Sequence, residues 1–402
     1  MNNKLNKIFK IISFYDDYRW NSSQNYNMIN FFKKDLSPDV KIFTHWLCYI
    51  TDRQMPFLRI WDIGGFVFSE LIYEIKRQKS LNILNPESEN SFVTRQIDDN
   101  KYAFISQTAA ENNSIIANYD GVLQNGKVVF KSRFFPSDYV AMLYTFVFLE
   151  DYDFSFSKFI KEIYDRHKNT DDFIKRILFS LCLLTYDGIG QPKSSDLDDF
   201  ANNIQKAKQN KIRVREILYN DNKFNNKFTK FLENQVFYQK RAWCSLRDFI
   251  KSPEFKKYFE ASLREESLKD NDFDKLFSED ALIQLELPGD VWNNNSKFRK
   301  CILKNTEYEK SNDGLNKILR EFFNKNRNNL IGYPEQFDIT FDFVPRMCDK
   351  NNCDLCPIHK IENDSSCFDK ICIKNQKMYC PVILAGCNYK SFCMGITQCK
   401  IL

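Results

Sequence analysis

Apolar side chains recur at helical spacing along most of the chain, and this periodicity predicts a mainly α fold. The first clear helix is expected to start at Ser37-Pro38, because Ser suits an N-cap and Pro suits the first helical position. Pro56 predicts that this helix ends before it, and a second helix is expected from about Arg59 to Gln78. The apolar positions of the first helix are Val40, Ile42, Phe43, Trp46, Leu47 and Ile50.

The pattern changes between residues 91 and 135, where short β-prone runs alternate with Asn and Asp clusters. Asp120-Gly121 and Asn125-Gly126 are dipeptides typical of hairpin turns. We therefore expect a small antiparallel β segment inserted between two helical lobes. The β-prone runs are 92–94, 102–105, 114–116 and 128–130.

These patterns predict a helical two-lobed core with the β insertion and a C-terminal Cys-rich metal-binding subdomain. The expected segments are an N-terminal helical segment (1–90), the β insertion (91–135), a basic helical domain (136–285), a hairpin-like helical segment (286–347) and the Cys-rich subdomain (348–402).

Composition places the chain among globular proteins. Of the 402 residues, 43% are hydrophobic, which excludes global disorder, and the net charge of +5 is too small to indicate a polyanionic partner by itself. No stretch approaches eighteen apolar residues, so no membrane span is expected. The N-terminal apolar residues end at Phe14, too early for a signal peptide, and a cytoplasmic location is therefore expected.

Charge is concentrated locally. Between Lys206 and Lys257 the chain has fourteen Lys or Arg against five Asp or Glu, with aromatic residues interleaved. Such a segment can neutralise phosphates and stack on bases, so DNA is the expected partner. The alternative is an ordinary solvated helix face above an aromatic core. The candidate nucleic-acid contacts are Arg213, Arg215, Lys240, Arg241 and Trp243.

Three polar residues, Asp52, Arg53 and Gln54, lie near the predicted end of the first helix. They follow an apolar helix that must be buried, so a pocket between lobes is one interpretation, with Asp52 as base or charge stabiliser. Arg53 would bind a phosphate or hold a carboxylate, and Gln54 would contact a base edge. The alternative is an exposed helix end with a surface ion pair.

The last fifty-five residues contain nine of the thirteen cysteines. In a reducing compartment, cysteines this dense indicate metal binding rather than disulfides. The pair Cys353 and Cys356, with Cys348 and Cys367 as single flanking thiols, favours a [4Fe–4S] cluster over zinc, which remains the alternative cofactor. A second site or buried free thiols would account for the remaining five, Cys372, Cys380, Cys387, Cys393 and Cys399.

The stretch FDITFDFVPRMCDKNNCDLCPI resembles the iron–sulfur loop of helix–hairpin–helix DNA glycosylases of the endonuclease III and adenine glycosylase type. The family spaces its ligands C-x6-C-x2-C-x5-C, whereas this chain has gaps of four, two and ten residues. Leu287-Pro288-Gly289 resembles the start of the family's phosphate-binding hairpin, but Asp290 and Val291 replace its Val and second Gly. An acid at that turn would repel phosphate.

The resemblance implies a DNA-base-processing enzyme that excises or hypermodifies a base rotated out of the duplex. The family's catalytic Asp follows the hairpin by about twenty residues, and Asp313 is the Asp of that neighbourhood. Candidate amines are Lys297, Lys300 and Lys304. The alternative is a non-catalytic nucleic-acid-binding protein stapled by a structural metal. A zinc-stabilised nuclease would need an acidic metal site, which the sequence does not locate.

Overall fold

The computed structural model describes residues 36–51, 57–85, 88, 93–98, 101–106, 122–124, 127–131, 136–185, 200–234, 239–286, 303, 306–309 and 314–325. These residues are mainly helical, as predicted. The helices are α1 (Pro38–Ile50), α2 (Phe57–Gln78), α3 (Pro136–Leu149), α4 (Phe156–His167), α5 (Phe173–Leu184), α6 (Phe200–Tyr219), α7 (Asp221–Asn234), α8 (Gln239–Lys251), α9 (Pro253–Glu265), α10 (Asp270–Leu276), α11 (Glu279–Gln284) and α12 (Gly314–Lys325). Two short 3-10 helices are also present: η1 (Asn82–Leu84) follows α2, and η2 (Glu150–Tyr152) lies between α3 and α4. No described helix is both long enough and apolar enough to cross a membrane.

The start of α1 follows from its first residues. The Ser37 side chain accepts a hydrogen bond from the Val40 backbone N–H at 3.4 Å, and Pro38 occupies the first position, where no N–H is needed. The predicted cap is therefore confirmed. The helix ends at Ile50, before Pro56, and α2 begins at Phe57, two residues before its predicted start.

Four strands, β1 (Val93–Asp98), β2 (Lys101–Ser106), β3 (Val122–Gln124) and β4 (Lys127–Lys131), form one antiparallel sheet in the order β1-β2-β4-β3. Phe104 of the second strand lies opposite Val93 and Phe130, and Gln124 lies opposite Lys127 across the last hairpin. The predicted run 114–116 lies outside the described residues.

The chain divides into two compact units. The larger, residues 27–232 and 238–277, is built around α1, which packs against α2, α3, α4, α8 and α9. Its centre is a cluster of aromatic rings. The ring centroid of Phe43 lies 5.1 Å from that of Phe146 and 5.6 Å from that of Phe156. The Phe156 ring in turn lies 5.5 Å from Trp46 and 6.2 Å from Phe249. Three helices thus meet α1 through phenylalanine rings.

Polar side chains also fix α1 in place. Asp39, buried in its first turn, accepts bonds at 2.7 Å and 2.5 Å from the backbone N–H and hydroxyl of Ser157, at the start of α4. Its other oxygen accepts from Lys76 of α2 at 2.7 Å. One carboxylate therefore joins three helices and satisfies an otherwise orphan N–H of α4.

A second polar network joins α1 to α8. The Asp248 carboxyl accepts from Tyr49 at 2.6 Å and lies 3.2 Å from Nε2 of His45. Arg247 donates to the other Asp248 oxygen through Nε and Nη2, both at 3.1 Å. The second ring nitrogen of His45 lies 3.2 Å from the Ser245 hydroxyl. All five side chains are buried, so the network satisfies polar groups within the core.

Protonation in this network follows from burial. Burial lowers the pKa of His45, against the raising effect of Asp248, so the imidazole is neutral near pH 7. A neutral ring satisfies both neighbours when its Nε2–H donates to Asp248 and Nδ1 accepts from Ser245. Burial, and then the Asp248 charge, raise the pKa of Tyr49 well above its usual range, so its hydroxyl remains a donor.

The smaller unit comprises residues 1–26, 233–237 and 278–402. Its described part contains α11 and α12, and Arg320 of α12 forms a bidentate pair with Glu286 at 2.7 Å and 2.9 Å. Gly314 opens α12 against the Tyr308 carbonyl, and a Cβ at this position would collide with that backbone oxygen. Glycine is therefore required where the helix starts.

The network predicts a stability difference between two tyrosines. Tyr49→Phe removes a donor from the buried Asp248 carboxyl and should lower the free energy of unfolding by about 2 kcal/mol. Tyr73→Phe is the matched control, because Tyr73 is 52% exposed, and should change it by less than about 0.5 kcal/mol. Urea unfolding followed by circular dichroism measures both. Equal stabilities would show that the Tyr49 bond contributes nothing.

Candidate nucleic-acid interface

Helix α7 presents a cationic face because its apolar residues repeat at positions 224, 228 and 231 and turn inward. Phe179 of α5 lies 5.1 Å from Phe224, 5.7 Å from Phe228 and 5.1 Å from Phe231. The Arg176 guanidinium covers the rings of Phe224 and Phe228 at 5.6 Å and 4.8 Å. These four phenylalanines, which we call the phenylalanine ladder, determine which side of α7 faces solvent.

The flank of α7 about a quarter turn from these phenylalanines carries Lys223, Lys227 and Lys230, all exposed. Their spacing of four and three residues places them on one stripe of the helix, which we call the lysine face. Lys227 and Lys230 form no ion pair with any described residue. Lys223 pairs with Glu216 at 2.8 Å, but both side chains are more than half exposed, so the pair is weak. Residues 222–232 contain no acid.

Helix α6 differs, because acids neutralise much of its charge. Lys211 lies 2.7 Å from Asp151 of η2, and Arg215 pairs with the same carboxylate. These residues line a shallow groove of about 500 Å³ between η2 and α6. Arg213 donates to Asn210 of its own helix at 2.9 Å. The predicted contacts Arg213 and Arg215 are thus exposed, and both have protein partners.

On α8 the predicted contacts have structural partners. Arg241 donates to the Ile50 carbonyl and so caps the C-terminal end of α1, and Lys240 is half-buried beside it. Trp243 is only 1% exposed and lies 4.9 Å from the Arg247 guanidinium. The expectation that Trp243 stacks on bases is wrong for this fold, because its ring is enclosed in the core.

The Arg241 bond has a further consequence. It brings α8 to the end of α1, directly before the predicted polar group, although Arg241 and Ile50 are separated by 191 positions. Asp52, Arg53 and Gln54 themselves lie outside the described residues, as do Asp313 and the candidate amines. The four predicted metal ligands, Cys348, Cys353, Cys356 and Cys367, also lie outside them.

Among the described residues, no group of three or more His, Cys, Asp or Glu side chains converges in an arrangement that could hold a metal ion. The described cysteines, Cys48, Cys182 and Cys244, are buried on three different helices. The cofactor prediction therefore stays a prediction about the tail.

Sequence analysis missed the buried Ser245–His45–Asp248 arrangement. Its connectivity resembles a nucleophile, base and acid, but Ser245 and His45 are completely buried and cannot meet a substrate. The only local signal was a His on the apolar face of α1, since its partners lie 200 and 203 positions away. We assign this arrangement to the core.

His167, the last residue of α4, is a second buried histidine. It is 7% exposed and stacks on Phe224 at 4.6 Å, and its Nε2 has no hydrogen-bond partner among the described residues. Burial, and then the charges of Arg176 and Arg166, lower the pKa of His167 to about 4. The imidazole is therefore neutral where it supports α7.

No family model, curated protein or solved structure matches the chain.

His167 predicts an acid-sensitive packing of α7. The folded pKa of about 4 lies below the usual 6.5, so the unfolded chain binds the proton first as pH falls. The contribution of His167 is complete above pH 6.5 and is lost toward pH 4, with a total on the order of 2 kcal/mol.

The comparison that isolates this effect is His167→Phe, which keeps a ring against Phe224 but cannot be protonated. The free energy of unfolding is measured for both proteins at pH 7 and at pH 5. Both proteins contain the same carboxylates, so the effect of carboxylate protonation cancels when the two pH-dependent changes are compared. Wild type should lose more stability than the variant between these pH values. An equal loss in both proteins would contradict the assignment.

Proposed function

We propose that this chain is a DNA-binding protein that contacts phosphates through the lysine face of α7. The observation that carries the proposal is the lysine stripe Lys223, Lys227 and Lys230, held outward by a buried phenylalanine ladder. Two of its three cations have no acidic partner among the described residues, so they remain available for phosphate. Lysine neutralises phosphate as a point charge and releases condensed counterions, which favours association.

The paired cations play a supporting part. Arg213 and Arg215 lie on α6, the helix before α7, and each has a protein partner. Arg215 is held by Asp151, so moving it to a phosphate would expose that carboxylate. Arg241 supports the end of α1 instead. The lysine face is therefore the part of the basic segment that we expect to dominate affinity.

We also propose a catalytic activity for this chain. The observation behind it is the cysteine spacing C-x4-C-x2-C-x10-C in the Cys-rich tail. Its resemblance to the iron–sulfur loop of DNA glycosylases supports a base-processing enzyme, acting by excision or hypermodification. Extrusion of a base costs a few kcal/mol, which pocket contacts must offset. The pocket assigned to this role contains Asp52, Arg53 and Gln54, with Asp313 as the second catalytic candidate.

The domain organisation belongs to the same proposal. We assign residues 348–402 to a metal-bound subdomain holding a [4Fe–4S] cluster, with zinc as the alternative, and residues 91–135 to an insertion between helical lobes. The antiparallel register of β1 to β4 supports the insertion. A cytoplasmic location, where thiols stay reduced, is consistent with metal binding.

The lysine face is tested by the triple substitution Lys223→Gln, Lys227→Gln and Lys230→Gln. Each neutralised phosphate contributes roughly 0.9 to the slope of log affinity against log salt on duplex DNA, so the slope should decrease by about 2.7. Fluorescence anisotropy between 50 and 200 mM salt measures it, with thermal melting to verify folding; these concentrations span roughly the range where such contacts matter.

The matched control makes the same change in net charge elsewhere. Lys79→Gln, Lys158→Gln and Lys269→Gln neutralise three lysines outside α6 and α7 and should leave the slope unchanged. If both folded triple variants lower the slope equally, total charge drives binding. If neither does, the lysine face is a solvated surface and the proposal fails.

The cofactor is tested in protein purified without oxygen. Iron and sulfide analysis should give one cluster per chain, with broad visible absorbance, and Cys356→Ser should remove most of the iron, because each iron takes one thiolate. Cys182→Ala, which changes a buried thiol of α5, is the control and should keep the iron. Stoichiometric zinc in place of iron would contradict the [4Fe–4S] assignment but would leave the predicted cysteine ligands in place.

A further inference from the structure

Phe224, Phe228 and Trp243, three aromatic residues in the described part of the basic segment, are buried and lie outside the lysine face. Phe224 and Phe228 of α7 pack inward on Phe179, and Trp243 of α8 is enclosed beneath Arg247. Proteins that bind single strands without sequence preference stack successive bases on exposed rings. These rings are instead occupied by the protein core, so they cannot supply that platform.

Tyr219, the last residue of α6, is also occupied. The Arg166 and Arg215 guanidinium groups lie 5.1 Å and 5.5 Å from its ring, and its hydroxyl bonds to Tyr152 of η2. A base that stacked on Tyr219 would have to displace an arginine and break a cation–π contact. The ring next to the lysine face therefore serves packing rather than base recognition.

What α7 offers outward is charge at regular intervals. Lys223 and Lys230 are separated by seven residues, so the lysine face extends about 10 Å along the helix axis. At 3.4 Å per base pair this length corresponds to about three base pairs of a duplex. The residues between the lysines on the exposed side are neutral and short, such as Asn226 and Thr229. They leave the phosphates of a rigid backbone accessible to the lysines.

We infer that the lysine face binds the phosphate backbone of double-stranded nucleic acid in preference to single strands, and does so without stacking on bases. This inference rests on the proposed function and specifies its ligand. A duplex presents more phosphate charge per length than a single strand, and counterion release is correspondingly larger. Backbone contacts carry no sequence information, so unrelated duplexes should bind alike.

The experiment compares two unrelated 20-base-pair duplexes with the single strands that form them, using the full chain and the triple lysine variant. Wild type should bind the two duplexes with affinities within about twofold of each other and either single strand at least about fivefold more weakly. The triple variant should lose most of the preference for duplex. The control triple at Lys79, Lys158 and Lys269 should retain it.

The outcomes separate the inference from the proposed function. Tighter binding to single strands, or more than about tenfold discrimination between duplexes, would overturn the inference while lysine-dependent DNA binding stands. Loss of binding to phosphatidylserine vesicles in the triple variant, with DNA binding unchanged, would assign the face to a membrane surface. That result, or no salt-dependent DNA binding at all, would overturn the proposed function and the inference with it.

Discussion

The burial of α1 is the constraint on which the larger unit depends. Eleven of its thirteen residues are buried, including Asp39 and His45, so every neighbouring helix must bury apolar surface against it and also supply polar partners. Ser157 and Lys76 complete Asp39, and Asp248 completes His45 and Tyr49. Since an unsatisfied buried carboxylate costs several kcal/mol, these contacts fix how α2, α4 and α8 approach α1.

This arrangement decides which cations reach the surface. In α8, Arg247 donates to Asp248 and Arg241 donates to the carbonyl at the end of α1. These two arginines therefore stabilise the fold. Acids of η2 hold Lys211 and Arg215 of α6. The lysine face of α7 remains exposed because its helix is anchored through phenylalanines and not through its charges. A basic segment therefore divides into cations that build the fold and cations that are available to a ligand.

The histidines illustrate the same division between chemistry and packing. His45 has hydroxyl and carboxyl neighbours suited to proton transfer, but no solvent-accessible position beside it. His167 is kept neutral by burial and two arginines and supports the phenylalanine ladder. In the described residues, both imidazoles serve the core. Catalysis is accordingly proposed for residues elsewhere in the chain: for Asp52 because it follows the end of a buried apolar helix, and for Asp313 because of the sequence resemblance.

The sequence by itself determined the local features of this protein: the mainly helical character, the cap at Ser37-Pro38, the approximate extent of α2 and the concentration of cations between Lys206 and Lys257. These follow from residue types and spacings within one or two helical turns. The partners of those residues were decided only by tertiary structure. Trp243 and Lys227 both belong to the basic segment, yet one ring is enclosed and one amine is exposed. The reason is that burial depends on helices far away in sequence, as His45 and Asp248 meet across 203 positions, and no local period encodes that contact.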